Sequence, residues 1–289
     1  MAKRFLCFAL ALVLMLSLCA CGGKKGGDEP ADAEETIVLP PASYDKEDGK
    51  LYREVYYNSN GLKFSSIIYE YDGYGRIASE IELGENDAPV SKSTFEYNDA
   101  GQKTAMLNYT AEGPEEYSFA YRVDYEYDEN GNLVREQRTE NDVIVAITVY
   151  EYNENGILIK KDQYEGEDFM ICSYEYELDE NGNAKRCIRH DFIEGVDIEN
   201  RYTYDSKGNM ITDVSCDADG AVQNRMEYDY DENGNEIKCS IYDGFGGLQS
   251  STTNEYSYDD YGNIEKVVCS HSDGSQGTTI QYTWQYSKG

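Results

Sequence analysis

The sequence predicts an all-β protein: tandem antiparallel β-hairpins of about 26 residues each, forming one long, twisted, strongly curved or partly closed sheet. Three observations carry this. Segments such as YEYDENGNLVREQ (125–137) recur, as YEYDGYGRI at Tyr69, YEYNENGIL at Tyr150, YTYDSKGNM at Tyr202, EYDYDENGNEI at Glu227 and EYSYDDYGNI at Glu255. Their glycines, Gly75, Gly101, Gly131, Gly156, Gly182, Gly208, Gly234 and Gly262, fall at intervals of 26, 30, 25, 26, 26, 26 and 28 residues. Aromatic residues alternate with polar ones ahead of each glycine, the period-two pattern of a strand with one buried face.

Along the chain, residues 1–20 read as a secretory leader: Lys3 and Arg4 precede an apolar run from Phe5 to Leu18, too short for a comfortable membrane span. Leu18-Cys19-Ala20-Cys21 resembles the bacterial lipoprotein lipobox, in which a small residue precedes a cysteine that takes up diacylglycerol. That resemblance implies lipidation at Cys21, export, and attachment to the outer face of the bacterial cytoplasmic membrane. Residues 21–43 are the lipidated cysteine and a Gly-, Pro- and acid-rich tether with an r.m.s. reach of roughly 25 Å. Residues 44–289 form the repeat domain, long enough for one all-β core.

Within that domain, the residues six before each glycine include Tyr69, Tyr125, Tyr150, Tyr202, Tyr228 and Tyr256, and those four before include Tyr71, Tyr127, Tyr152, Tyr204, Tyr230 and Tyr258. Positions two apart share a strand face, so these tyrosines form a ladder on one side of the sheet. Between them stand Glu70, Glu96, Glu126, Glu151, Glu177, Thr203, Asp229 and Ser257, which makes the opposite face polar and mostly acidic. A tyrosine-lined face left in water would invite association, so the sheet is expected to curl over it, with phenolic oxygens reaching water at its rim. Each turn pairs an acid with a glycine: Asp72 with Gly75, Asp128 with Gly131, Asp205 with Gly208, Asp231 with Gly234, Asp259 with Gly262. The aspartate can accept from a backbone N–H two residues on, and the glycine takes the positive φ. Exit strands of about eight residues then run to second, variable turns such as AEGPEE, EGED and DGFGG.

The pattern Tyr-x-Tyr-Asp-x-x-Gly-Asn/Arg-apolar resembles the YD repeat, the unit of the RHS family, with YEYDGYGRI the nearest match. The resemblance covers most of Tyr69 to Ile264, with a degenerate YYNSNGLKF at Tyr56 before it and YTWQY at Tyr282 as a last strand without a following turn. Leu178 replaces a ladder tyrosine, Asn98 and Asn153 replace the turn aspartate, and Gln102 and Ile157 stand where Asn or Arg is usual. In large members of the family, such repeats spiral into a shell around a toxin or carry a cell-surface module, as in teneurins. Such shells need far more than eight copies, so the resemblance implies the sheet here and not the encapsulation.

Charge and composition narrow the function classes. The net charge of −31, or −33 once Lys3 and Arg4 leave with the leader, repels phosphate backbones, so nucleic acid is not an expected partner. Beyond the anchor, Cys172, Cys187, Cys216, Cys239 and Cys269 are odd in number, lack C-x-x-C spacing, and leave a Cys172–Cys187 pairing open. Asp-x-Asn-Gly-Asn hints at a calcium loop, but the glycine and terminal glutamate of an EF-hand are misplaced, and no metal or cofactor is expected. His190 and His271 have no nucleophile motif around them. The expected function is therefore a non-enzymatic, lipid-anchored cell-envelope protein whose repeat sheet binds or adheres, to a surface glycan or a protein. The alternatives are an accessory shell enclosing a partner or secreted effector and, remotely, a two-acid glycan hydrolase.

Overall fold

The computed structural model describes residues 49–286. The leader, Cys21 and the tether lie outside the described residues. Eighteen strands follow one another: β1 (Lys50–Tyr57), β2 (Lys63–Tyr71), β3 (Ile77–Leu83), β4 (Pro89–Tyr97), β5 (Lys103–Ala111), β6 (Tyr117–Tyr127), β7 (Leu133–Glu140), β8 (Val143–Tyr152) and β9 (Leu158–Glu165). The second half is β10 (Phe169–Leu178), β11 (Ala184–Asp191), β12 (Val196–Tyr204), β13 (Met210–Cys216), β14 (Val222–Tyr230), β15 (Glu236–Asp243), β16 (Leu248–Tyr258), β17 (Ile264–His271) and β18 (Gln276–Gln285).

Every strand pairs antiparallel with its sequence neighbours, and β18 pairs with β1, Lys50 opposite Gln285 and Tyr57 opposite Thr279. The sheet is therefore a closed up-and-down β-barrel, which corrects the expectation of a partly closed one. Closure leaves no unpaired edge, the solution a wide twisted sheet needs if it is not to aggregate. YTWQY accordingly belongs to a strand that seals the barrel against β1.

The strands define two rims. The eight glycine turns of the repeat all join an even strand to the next odd one, at a common tyrosine rim. The nine connections from odd to even strands form the opposite, variable rim. YYNSNGLKF joins β1 to β2 and so lies on the variable rim, half a repeat out of phase, not as a preceding copy of the unit. Both described chain ends, at Gly49 and Tyr286, emerge at the tyrosine rim.

Each glycine turn is built alike. Asp128 N donates to Asn132 O at 2.9 Å, Gly131 N donates back to Asp128 O at 3.0 Å, and Gly131 takes φ of +85°. The Asp128 carboxylate accepts from Asn130 N, as the sequence predicts, and also from Asn132 N and the Asn132 side chain. A register shift follows, between Glu126 and Tyr127, and comparable shifts recur at the other glycine turns. The same backbone pattern occurs at five variable-rim turns, those of Gly61, Gly220, Gly246 and Gly274 and the Gly84–Ala88 turn, where Asp87 takes the positive φ. The residue after several of the glycines reaches toward the next turn: a Cβ on Gly131 would meet Gln102 Nε2 at 3.3 Å, and one on Gly156 would meet Asn132 Oδ1 at 3.3 Å.

The tyrosine-bearing face is the barrel interior, and Tyr69 and Tyr125 on it are buried, whereas Glu70, Glu96, Glu126, Glu151 and Glu177 on the other face are exposed. Outside, ion pairs span neighbouring strands. Lys92 Nζ reaches Glu70 at 3.6 Å across Ser79, and Arg122 bridges Glu96 and Asp124 at 3.1 and 2.7 Å across Ala105. These arches explain why the small residues Ser79 and Ala105 are buried on an outward face. Charges at mid-strand are the reverse of the apolar band that a membrane-spanning barrel turns to lipid.

Candidate functional site in the barrel interior

The second aromatic of each repeat has a defined task. Tyr71 OH donates to Leu51 O, Tyr97 to Ile77 O, Tyr127 to Lys103 O, Tyr152 to Leu133 O, Tyr204 to Ala184 O and Tyr230 to Met210 O, all at 2.7–2.8 Å. Each acceptor lies at the start of the preceding odd strand, so each phenol ties the bottom of one hairpin to the next. This corrects the expectation that the phenolic oxygens reach water. In β16 the longer 28-residue interval shifts the pattern by two: Tyr256 makes the latch, to Glu236 O, while Tyr258 OH accepts from Asn235 Nδ2. On β18, Trp284 Nε1 takes the role, donating to Ile264 O at 2.9 Å. Leu178 has no hydroxyl, and β10 is the one even strand whose ladder residue cannot latch.

The first aromatic of each repeat faces a cross-strand partner five residues past the turn glycine: Tyr69 faces Glu80, Tyr125 Glu136, Tyr150 Lys161, Tyr176 Cys187, Tyr202 Asp213 and Tyr228 Cys239. At six of the eight copies an aromatic thus faces an ionisable side chain on an inner girdle, whereas Phe95 faces Met106 and Tyr256 faces Val267. Cys187 and Cys239 were singled out in the sequence as thiols, but Glu80, Glu136, Lys161 and Asp213 escaped a reading that aligned the residues ahead of each glycine. Counting five positions past it would have found them.

Burial governs their chemistry. At the closure seam, Leu51, Tyr69 and Ile77 form a buried core against Tyr71, Phe95, Tyr282 and Trp284. Into it project Glu54 from β1 and Glu80 from β3. Glu54 accepts hydrogen bonds from Tyr56 OH and, at 3.2 Å, from Tyr69 OH, yet desolvation holds its carboxyl above the ordinary range. Desolvation pushes Glu80 up to about 7, opposed by the Lys103 ammonium and reinforced by Glu54. Those carboxylates in turn help burial raise Tyr71 to about 12. On β15, Glu236 is 2% exposed, neither carboxyl oxygen has a hydrogen-bond partner among the described residues, and burial alone lifts it to about 7.

The thiols are free and buried. Cys172 faces Asp191 and Cys187 faces Tyr176, four residues along the strand from Cys172, hence roughly 13 Å away and beyond the reach of about 7 Å that a disulfide needs. The open Cys172–Cys187 pairing is thereby decided against. Burial raises Cys187 to about 11 and Cys239 to about 12, so both stay protonated and weakly nucleophilic at neutral pH. Among the described residues no cluster of three or more metal-ligating side chains is assembled. The aspartates and glycines of the repeat turns lie together on the tyrosine rim, and the ladder tyrosines lie inside, while His190 bonds Asp197 on the outer face at 2.8 Å.

No protein-family model and no curated protein matches the chain. Among solved structures, a porin-like protein from Bacteroides uniformis ATCC 8492 is 11% identical, with a TM-score of 0.44 over 81% of this chain and 96% of that one. A porin-like protein from Bacteroides vulgatus ATCC 8482 is 13% identical, with a TM-score of 0.33 over 82% and 99%. The structure titled TcdB2-TccC3-Cdc42 is 11% identical, with a TM-score of 0.33 over 78% of this chain and 16% of that one. At those TM-scores the likeness carries no argument, and the barrel is interpreted from its own residues.

Proposed function

We propose that this chain is a non-enzymatic, lipid-anchored protein of the bacterial cell envelope, whose YD-type repeats close into a barrel that serves as a binding module. The observation that carries the reading is the exit of both described chain ends at the tyrosine rim. A tether from an acylated Cys21 would enter there, holding that rim toward the membrane and turning the variable rim away from it. The ion-paired exterior supports a module that stands in water. Engagement of the latch hydroxyls with backbone carbonyls supports a structural role for the ladder, and elevated thiol pKa values speak against cysteine nucleophiles.

Cys21→Ala is the test. Metabolic palmitate labelling should vanish and the protein should move from the membrane pellet to the soluble fraction; continued sedimentation with membranes would overturn the anchor. Closure of the sheet favours the shell alternative as a second reading. Footprinting that protects girdle tyrosines, instead of outward glutamates or the variable rim, would favour an enclosed partner.

A further inference from the structure

The variable rim carries a ring of exposed apolar side chains that the repeat pattern does not account for. Eight of its nine turns place at least one large apolar residue, 39% exposed or more, in the turn or among the first three residues of the following even strand. Leu62, Val143, Phe169, Ile193 and Phe245 are the most exposed, at 60, 60, 58, 66 and 101%, and Phe119 is 52% exposed. On this rim Phe64, Phe119 and Phe192 have a ring neighbour, Tyr56, Tyr109 and His190, at 6.2, 5.8 and 6.4 Å and remain about half exposed, while on the tyrosine rim Tyr74 lies against the Arg76 guanidinium at 4.9 Å and Tyr261 stacks on Tyr286 at 4.3 Å. Together the variable-rim side chains present on the order of 1,000 Å² of apolar surface, comparable to the roughly 800 Å² that one partner contributes to a standard interface. Water-facing proteins seldom leave that much apolar surface uncovered without an interaction to use it.

The intervening charge selects the occupant. The nine connecting segments of this rim contain twelve acidic residues, among them Glu116, Glu167, Asp168, Glu194 and Asp219, and no lysine or arginine. Asp87 is the one acid there that is ion-paired, to Arg53 and Lys63. A second copy would set twelve acids against twelve, and an anionic lipid surface would be repelled likewise.

We propose that the variable rim is a docking surface for a basic polypeptide that presents lysine or arginine beside apolar side chains. The proposal rests on the binding-module reading and names the chemistry of its partner. The apolar crown supplies the buried anchors, and the surrounding carboxylates supply steering and partner discrimination.

The test uses the full chain in phosphatidylcholine nanodiscs and two fluorescent probes: an amphipathic peptide of lysine and leucine, and its glutamate and leucine counterpart. The lysine peptide should bind and the glutamate peptide should not. Binding should weaken about tenfold or more with Phe119→Ser, Phe169→Ser and Phe245→Ser combined, and also as salt shortens the Debye length. The triple variant should melt at the wild-type temperature, and Tyr74→Ser on the other rim should bind as wild type. Equal binding of both peptides, or undiminished affinity in the triple variant, overturns the proposal. So does concentration-dependent self-association, or adhesion to phosphatidylglycerol vesicles, if the triple variant abolishes it, since either names a different occupant. Membrane fractionation of Cys21→Ala is read separately, so a failed anchor and a failed rim are told apart.

Discussion

The phenol latches make the sharpest prediction, because a single oxygen can be deleted without changing the packing. Tyr97→Phe removes the 2.7 Å bond to the Ile77 carbonyl from a half-buried site and leaves the ring in place. A net intramolecular hydrogen bond contributes about 1 kcal/mol, and somewhat more where the abandoned carbonyl is shielded from water. For a domain of this size that is a fall of about 2–4 °C in melting temperature. Tyr152, Tyr204 and Tyr230 make equivalent bonds on strands apart from one another. Their losses should therefore add, reaching about 4 kcal/mol for the four phenylalanines together, a large share of a typical total of about 5–15 kcal/mol.

Leu178 supplies the converse experiment. Leu178→Tyr would offer a hydroxyl to the carbonyl at the start of β9 and complete the ring, stabilising the barrel by about 1 kcal/mol. Urea denaturation followed by fluorescence measures all these variants, with Tyr74→Phe, 87% exposed, as the control. If Tyr97→Phe matches Tyr74→Phe, and Leu178→Tyr gains nothing, the latches are decoration and the account of the ladder fails.

The buried carboxyls predict the pH dependence. Glu80 and Glu236 are raised from 4.5 to about 7, so between those values the folded barrel binds more protons than the unfolded chain. Stability should fall as pH rises through that window, by up to about 3 kcal/mol for each of the two groups (~1.4 kcal/mol for every pH unit the window spans), and the cost should be complete above pH 7. Asp128 and Asp179 in the turns, lowered first by the side-chain amides of Asn132 and Asn183 and then by backbone N–H partners, act in the opposite sense: their contribution is present above 3.8 and lost as pH falls through their lowered values. Glu236→Gln should accordingly flatten the neutral limb and raise stability at pH 7.5, as thermal melts across pH will show; an unchanged slope would refute the assignment. Gly131→Ala should destabilise by roughly 1 kcal/mol or more, since the glycine holds φ of +85° and a Cβ would crowd Gln102, whereas alanine at exposed Gly73, with open space around its Cβ, should be nearly neutral by the same melts.

Much of the fold was legible because the sequence repeats its local rules. Tyr-x-Tyr fixes which face is buried, Asp-x-x-Gly fixes where the chain reverses, and together they place a hairpin at every copy. Closure was not legible, because it is set by the pairing of β1 with β18, two strands that lack the intact motif. The phase of YYNSNGLKF was misjudged for a related reason: five variable-rim turns use the same hydrogen-bond pattern as the repeat turns, so turn chemistry alone does not tell one rim from the other. Glu54, Glu80 and Glu236 were invisible among 56 acids, since an inward carboxylate and an outward one are the same letter until register is known.

The seam shows why the barrel can close with fewer than nine intact copies. Of nine even strands, all but β10 are latched to the odd strand before them, and eight glycine turns join an even strand to the odd strand after it. At the seam the chain uses other residues for the same bonds. Leu51, in a strand with no tyrosine pair, receives the Tyr71 hydroxyl, and Trp284 replaces a phenol with an indole N–H. Asn263 and Asp259 of the last glycine turn then engage Tyr286, so that the end of the described chain occupies the place that a ninth repeat would have filled. What the seam shares with the repeats is the geometry of donor and carbonyl, not the motif, and β18 pairs with β1 on that basis.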